Sequence, residues 1–201
     1  RALKEKVPLF VFFFLSNKYL NATERHYVFM LEGLKSVALK LNINGIPFFM
    51  LTGEPYTAIE KFITTYKIGE IITDFETVKI KKNWQSGIQS RISIPFYDVD
   101  SRNTVPCRII SNKQEWSAFT IRGKIKRIFD EYFDDFSEII CHPFQDEIKY
   151  NIFNIEELKK NLEIDTSVRE INWLKPGEDK AREILKIFIE EKLNFYSTNK
   201  N

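Results

Sequence analysis

The side chains best suited to chemistry by type and position are few: His26, His142, Cys107, Cys141 and Asp74. Nucleophilic catalysis needs a Ser or Cys beside a base that a third group orients. His26 falls inside a helical pattern and His142 precedes Pro143; neither has a Ser, Cys or Asp partner at an informative spacing, so both read as structural. The cysteines stand far apart, form no C-x-x-C pair and join no metal-ligand cluster. That usage suits a reducing, intracellular setting better than a disulfide scaffold. Asp74 sits where an apolar run gives way to a helix, a position that suits a plain N-cap and equally an acceptor of hydrogen bonds from a ligand. Neither G-x-G-x-x-G nor G-x-x-x-x-G-K-S/T occurs in the sequence, which argues against dinucleotide-dependent reduction and P-loop ATPase chemistry.

Positioning any such groups falls to a chain of 201 residues, 43% hydrophobic and 29% charged. That is enough for a sizeable core and suits one domain with an appendage. Its 30 basic and 28 acidic side chains leave a net charge of +2, so no global field calls for a nucleic-acid or membrane partner. The longest apolar run, VPLFVFFFL from Val7 to Leu15, is about half the ~20 residues a membrane span requires and reads as a buried strand. It lacks the small-residue cleavage site of a secretory signal. The opening Arg1, in place of Met, points to a processed, truncated or partly cloned start.

Strands and helices alternate. A strand is expected over 8–15, where LFVFFFLS (Leu9 to Ser16) is apolar and aromatic up to its final serine, as expected of a parallel strand covered on both faces, with Phe12, Phe13, Phe14, Phe48 and Phe49 as strand core. A helix follows, with Asn21 as its N-cap, Tyr27, Met30, Leu34, Val37 and Leu41 on its apolar face and Gly45 past its end. The same cycle gives strand 46–52, a Gly53-Glu54-Pro55 turn into YTAIEKFITTYK, strand 70–75, a helix from Glu76 to about Ser90, and strands 94–100 and 105–111. Such alternation implies βαβ units, right-handed crossovers and a mostly parallel, Rossmann-like α/β sheet. Ligands bind such sheets at the carboxyl ends of the strands, here Leu15-Ser16-Asn17, Leu51-Thr52-Gly53 and Thr73-Asp74-Phe75.

Beyond Trp116, which reads as buried, TIRGKIKRIFDEYFDDF begins basic (Arg122, Lys124, Lys126, Arg127) and ends acidic (Asp130, Glu131, Asp134, Asp135). That order opposes a helix macrodipole at both ends and asks for an outside interaction to compensate. The stretch 141–175 is irregular apart from a short helix at Ile155–Leu162. Pro176-Gly177 then break the chain before an acidic start, Glu178-Asp179, and an amphipathic helix with Ile184, Ile187 and Phe188 on one face.

ATERHYVFMLEGL, IPFFMLTG, ITDF followed by KKNW, DVDSRNTVPCRIISNKQEWSAFTIRGKI and INWLKPG together resemble the N-terminal α/β domain and linker of class II DNA photolyases, from Val7 to about Tyr196. Asn103, Val105-Pro106, Ser111, Lys113, Thr120-Ile121-Arg122, Lys124-Ile125 and Trp173 to Gly177 carry most of the likeness. Gly123 departs from the family's usual proline, and Trp116 and Phe119 replace a Tyr and a smaller residue.

The resemblance implies an antenna domain over 1–116 lacking the family's first strand, an interdomain linker over 117–175, and at 176–201 the first helix of a helical FAD-binding domain that is the natural packing partner. It implies the N-terminal portion of a light-dependent enzyme that uses FAD to split cyclobutane pyrimidine dimers in UV-damaged DNA, a lesion flipped out of the stack. The chain alone is then expected to be inactive and to carry no FAD. A deazaflavin or folate antenna chromophore would sit by Leu15, Ser16, Asn17, Asp74 and Phe75. The alternative is a non-catalytic, cryptochrome-like or decayed photolyase fragment acting in signalling or protein interaction.

Overall fold

The computed structural model describes residues 1–135, 137–145, 148 and 152–199. Lys200 and Asn201, the end of the expected 176–201 segment, lie outside the described residues, as do 146, 147 and 149–151 within the stretch expected to be irregular. The chain divides into two compact units, residues 1–53 with 139–201 and residues 54–138.

The first unit opens with a short helix α1 (Ala2–Glu5), strand β1 (Val11–Phe14), helix α2 (Glu24–Ile43) and strand β2 (Phe48–Leu51). β1 and β2 pair in parallel, with Val11 opposite Phe48 and Phe14 opposite Leu51. The helix starts two residues later than the expected cap. Thr23, not Asn21, is the N-cap, because His26 at the third helical position turns back so that its Nδ1 accepts the Thr23 N–H at 3.1 Å, completing a capping box. The buried ridge is Tyr27, Leu31 and Ala38. Val37, expected on that face, is exposed, because the ridge runs one position round the helix from the expected one. Leu15, Tyr27, Leu31 and Ile155 form the core, with Phe13, Met50, Phe153, Leu158 and Leu162 packed on it.

Ile155 reaches that core from helix α7 (Ile155–Lys159), whose N-cap Asn154 accepts the Glu156 and Glu157 N–H groups through Oδ1. Flanking backbone bonds hold the segment down: Glu163 N–H donates to Asn17 O, and Glu24 N–H donates to Asp165 O. His142 is buried and its N–H donates to Asn44 O at 2.7 Å, while Nδ1 lies 2.9 Å from Phe144 O. His26 and His142 thus serve the fold. Helix α8 (Glu178–Ile187) is tied to α2 where Lys40 bridges Glu178 and Asp179.

The second unit contains helix α3 (Pro55–Tyr66), strand β3 (Ile71–Asp74), helix α4 (Lys79–Gln89), strand β4 (Phe96–Val99), the single turn α5 (Cys107–Ile110) and helix α6 (Ala118–Tyr132). Pro55 occupies the first turn of α3, where its missing N–H costs nothing, and the Glu54 carboxylate accepts the Thr57 N–H at 2.8 Å. β3 and β4 pair in parallel, Ile71 opposite Phe96. Ile59, Phe62, Ile71 and Ile88 are buried. Gly87 is dictated by packing, since a Cβ there would come within 2.5 Å of the Tyr56 ring, whose face carries the Arg91 guanidinium at 4.0 Å.

The two sheets are entered alike. Ile46-Pro47-Phe48 and Ile94-Pro95-Phe96 each lead into the second strand of a pair, and the proline carbonyl accepts the first ladder bond, from Val11 N–H and Ile71 N–H respectively, both at 2.9 Å. A proline suits this place because it has no N–H to supply to the ladder.

Strand 105–111 does not form. Val105, Ile109 and Ile110 gave the segment its β-branched look, but Cys107 to Ile110 turn once as helix, because the Asp100 carboxylate takes the Cys107 N–H at 2.8 Å and Pro106 leads in. Trp116, expected to be buried, is 86% exposed.

Candidate functional site

At the carboxyl end of β1, Leu15 is buried and its N–H closes the ladder on Leu51 O at 2.8 Å. Ser16 and Asn17 follow. Ser16 Oγ donates to Lys18 O at 2.7 Å, Ser16 O accepts the Tyr27 hydroxyl at 3.0 Å, and Asn17 Nδ2 donates to Glu163 at 3.2 Å. Burial pushes the Tyr27 phenol above its ordinary range, against a smaller opposing pull from hydrogen bonding to the Tyr19 backbone.

At the carboxyl end of β3, Phe75 N–H donates to Val99 O at 2.8 Å. Asp74 caps nothing: α4 begins at Lys79, behind Val78, and Asp74 Oδ1 instead accepts the Ser101 hydroxyl at 2.6 Å with Arg102 3.7 Å away. Beside it Glu76 is buried and bridges Arg102 at 2.7 Å and Lys81 at 3.0 Å. Burial alone would push the Glu76 carboxyl up; the Arg102 and Lys81 bonds outweigh it and hold the group below its usual range. Arg108 forms a two-pronged bond to Asp98 at 2.9 and 2.8 Å and lies 4.4 Å from the centre of the Phe75 ring. Asp100, accepting from Cys107 N–H and Asn103, is held below its ordinary range by those bonds. The 100–108 loop is therefore folded back over the ends of β3 and β4 by one set of ion pairs.

Leu15, Ser16 and Asn17 are adjacent in the first unit, and Asp74 and Phe75 are adjacent in the second. Glu76, Asp98, Asp100, Arg102 and Arg108 were not singled out from the sequence. The signal was the alternation of acid and base in DVDSR directly after the IPFY strand, which places Asp98 and Asp100 on one side of the chain and Arg102 one step beyond.

The 111–124 stretch has a second polar centre. Lys124 Nζ donates to Ser111 Oγ at 3.0 Å and to Glu115, and Ser111 Oγ donates to Glu115 at 2.7 Å. The bonds from Lys124, Ser111 and Thr120, in that order, lower the Glu115 carboxyl to about 2. Its unfolded value is about 4.3, so the contribution of these bonds to stability is present above that pH and is lost as the pH falls through about 2. A carbon-13 titration of the Glu115 carboxyl should show a midpoint near 2, returning to the ordinary range in Lys124→Ala. A midpoint at the ordinary value in the unmodified chain would mean that these bonds do not hold in solution.

Among the described residues no group of three or more His, Cys, Asp or Glu side chains is arranged to hold a metal, and no helix is long and apolar enough to cross a membrane.

The family model described as DNA photolyase matches residues 1–144. A deoxyribodipyrimidine photo-lyase from Potorous tridactylus is 38% identical over 202 aligned positions, covering all of this chain and 38% of that protein. One from Arabidopsis thaliana is 30% identical, covering all of this chain and 42% of its own length. The chain thus spans about two fifths of these curated relatives. In fold it is similar to the crystal structure of an archaeal photolyase from Sulfolobus tokodaii with two FAD molecules, at a TM-score of 0.57 and 13% identity, covering all of this chain and 50% of that one. With parallel strands alternating with helices and a family match over 1–144, this chain belongs to the DNA photolyase family.

Proposed function

We propose that residues 1–201 are the N-terminal portion of a class II DNA photolyase, an enzyme that splits cyclobutane pyrimidine dimers in UV-damaged DNA under light. The observation that carries this reading is the 38% identity to the Potorous deoxyribodipyrimidine photo-lyase along the whole chain. In it, residues 1–116 are the antenna domain, 117–175 link it to a helical domain, and 176–201 begin that domain. FAD, when bound there, supplies the electron that opens the dimer. No Gly-rich phosphate cradle occurs in these residues, and among the described residues the buried side-chain polar atoms without a partner, Asn42 Oδ1 and His142 Nε2, lie beyond the amino end of β2, not at the carboxyl ends of the strands. The flavin is accordingly assigned to the part of the relatives that this chain does not span.

For an antenna chromophore, deazaflavin or folate, the residues offered are Leu15, Ser16, Asn17, Asp74 and Phe75. Both sets end parallel strands, the usual ligand position of α/β sheets. The polar groups at those ends are already engaged within the protein, so a ring system would be held chiefly by apolar contact and by stacking of the Phe75–Arg108 kind. With a net charge of +2, this portion adds little to DNA affinity, because phosphate neutralisation supplies most of it.

The test is a chimera in which the remainder of the Potorous relative follows residue 201. Light-dependent loss of dimers from irradiated DNA is expected. A chimera that binds FAD and irradiated DNA yet repairs nothing would sink the assignment.

A further inference from the structure

Past α7 the chain reads NLEIDTSVREINWLKPG, in which apolar Leu162 and Ile164 alternate with acidic Glu163 and Asp165. An extended stretch turns such alternate residues to opposite sides. Leu162 and Ile164 pack on the core of Leu15, Tyr27, Leu31 and Ile155. Glu163, between them, meets the carboxyl end of β1 twice: its N–H donates to Asn17 O at 2.9 Å, and Asn17 Nδ2 donates to its carboxylate at 3.2 Å. Glu24 N–H, a donor that the first turn of α2 leaves without a partner inside the helix, donates to Asp165 O at 3.0 Å, and Arg25 Nε donates to Arg169 O at 3.0 Å. Lys159 of α7 ties the same corner, 2.9 Å from Glu24 and 3.4 Å from Glu170.

From there the segment follows α2 in the direction of the helix. Gly177 comes against Gly33 and Ser36: a Cβ on Gly33 would lie 3.9 Å from Gly177 N, and one on Gly177 would lie 3.8 Å from Ser36 Cβ. Lys40, one turn beyond Ser36, holds Asp179 at 2.7 Å and Glu178 at 3.3 Å. Gly177 has φ 102° and ψ 157°, a region essentially closed to residues with a Cβ. The angle at which α8 leaves the segment is therefore set by the glycine as well as by the ion pairs. The segment is not taut. About twelve residues join Asp165 to Gly177 and could span about 40 Å, whereas Glu24 and Gly33 stand about 14 Å apart along α2. What links the two ends is order, because residues held in one path at both ends lose that order together, as a contiguous cooperative unit.

We propose that residues 163–179 act as a strap clamped at both ends, through which the carboxyl end of β1 and the seating of α8 on α2 are coupled. Freeing Glu163 from Asn17 loosens Glu178 and Asp179 on Lys40, and the reverse holds equally, since coupling between two sites is reciprocal. The use of this device rests on the proposed function, in which Asn17 borders the antenna chromophore and α8 opens the helical domain. A group that takes the Asn17 amide from Glu163 then slackens the first helix of that domain.

Native-state hydrogen exchange of the full 201-residue chain, read by NMR, tests the coupling. The reporters are Glu163 N–H and Glu24 N–H at one end and Ala181 N–H, bonded to Gly177 O, at the other; Leu15 N–H, bonded across the sheet to Leu51 O, reports opening of the whole unit. Lys40→Glu sets like charges together at the α8 end, and Gly177→Ala strains it. Each should speed exchange at Glu163 and Glu24 about tenfold or more, with Leu15 unmoved. Asn17→Asp, which faces Glu163 with a second carboxylate, should in turn speed Ala181 by a similar factor. Lys40→Arg keeps the ion pairs and should leave all four reporters as they are. Acceleration confined to the substituted end would show two independent anchors and overturn the proposal. So would no acceleration at all, or an equal rise at Leu15. None of these readouts involves light, flavin or dimers, so the photolyase reading is decided separately, by the chimera.

Discussion

Residues 1–201, expressed alone and illuminated with blue or near-ultraviolet light, are expected to leave cyclobutane dimers intact and to purify without stoichiometric flavin. Splitting a dimer in the proposed reaction needs a reduced flavin against a flipped-out lesion, and a flavin dinucleotide needs its pyrophosphate met by backbone N–H groups or basic side chains. The strand ends of this chain offer Ser16, Asn17, Asp74 and Glu76, whose polar atoms are engaged by Lys18, Glu163, Ser101, Arg102 and Lys81. The surrounding charge there is mixed. Two measurements decide the matter: the flavin absorbance of the purified chain, and the dimer content of irradiated DNA after illumination with it. Equimolar flavin, or light-dependent loss of dimers, would show that these residues hold more of the machinery than the proposed division assigns to them.

Leu31→Ala is expected to have the largest effect of any single substitution on stability. Among the described residues Leu31 is the one large side chain with no solvent contact, and it touches the core shared by β1, α2 and α7 through Leu15, Tyr27 and Ile155. Truncating a buried leucine removes the transfer energy of its methyl groups and leaves a cavity, costing about 2–5 kcal/mol. For a chain of this size that is a fall in Tm of roughly 5–15 °C. Val37→Ala, on the exposed side of the same helix, controls for helix propensity and should shift Tm by no more than about 2 °C. Equal losses from both would mean that the ridge is 30–37 rather than 27–31–38.

The strands and the long helices were legible because their signals are local. Unbroken apolar runs at 11–14 and 48–51 and three- to four-residue spacing in 55–66 and 79–89 do not depend on what they pack against. The misread positions depend on partners distant in sequence or on an unusual residue in a familiar role. Cys107 to Ile110 turn as helix because of Asp100, seven residues back. Thr23 caps α2 because a histidine takes the place usually held by Glu or Gln in a capping box. Asp74 looked like a cap, and only the return of Ser101 and Arg102 to the end of β3 shows what it holds. Trp116 was taken as core on residue type alone. Leu15, Ser16, Asn17, Asp74 and Phe75 lie at the carboxyl ends of β1 and β3, but the ion pairs around Glu76, Asp98 and Arg108 needed the fold, because they join β3, α4, β4 and the 100–108 loop.

The first unit is written in two pieces, residues 1–53 and 139–201, with the whole second unit, 54–138, spelled between them. A ribosome reads in one direction. When residue 53 leaves the exit tunnel, β1, α2 and β2 exist but Ile155 does not, so Leu31, Leu15 and Tyr27 have no lid. They must wait while about 100 further residues are made, roughly 5–20 s at common synthesis rates. The second unit suffers no such delay, since its contacts close within its own stretch of message. The half that begins first is completed last, and through that interval its aromatic strand faces whatever holds nascent chains.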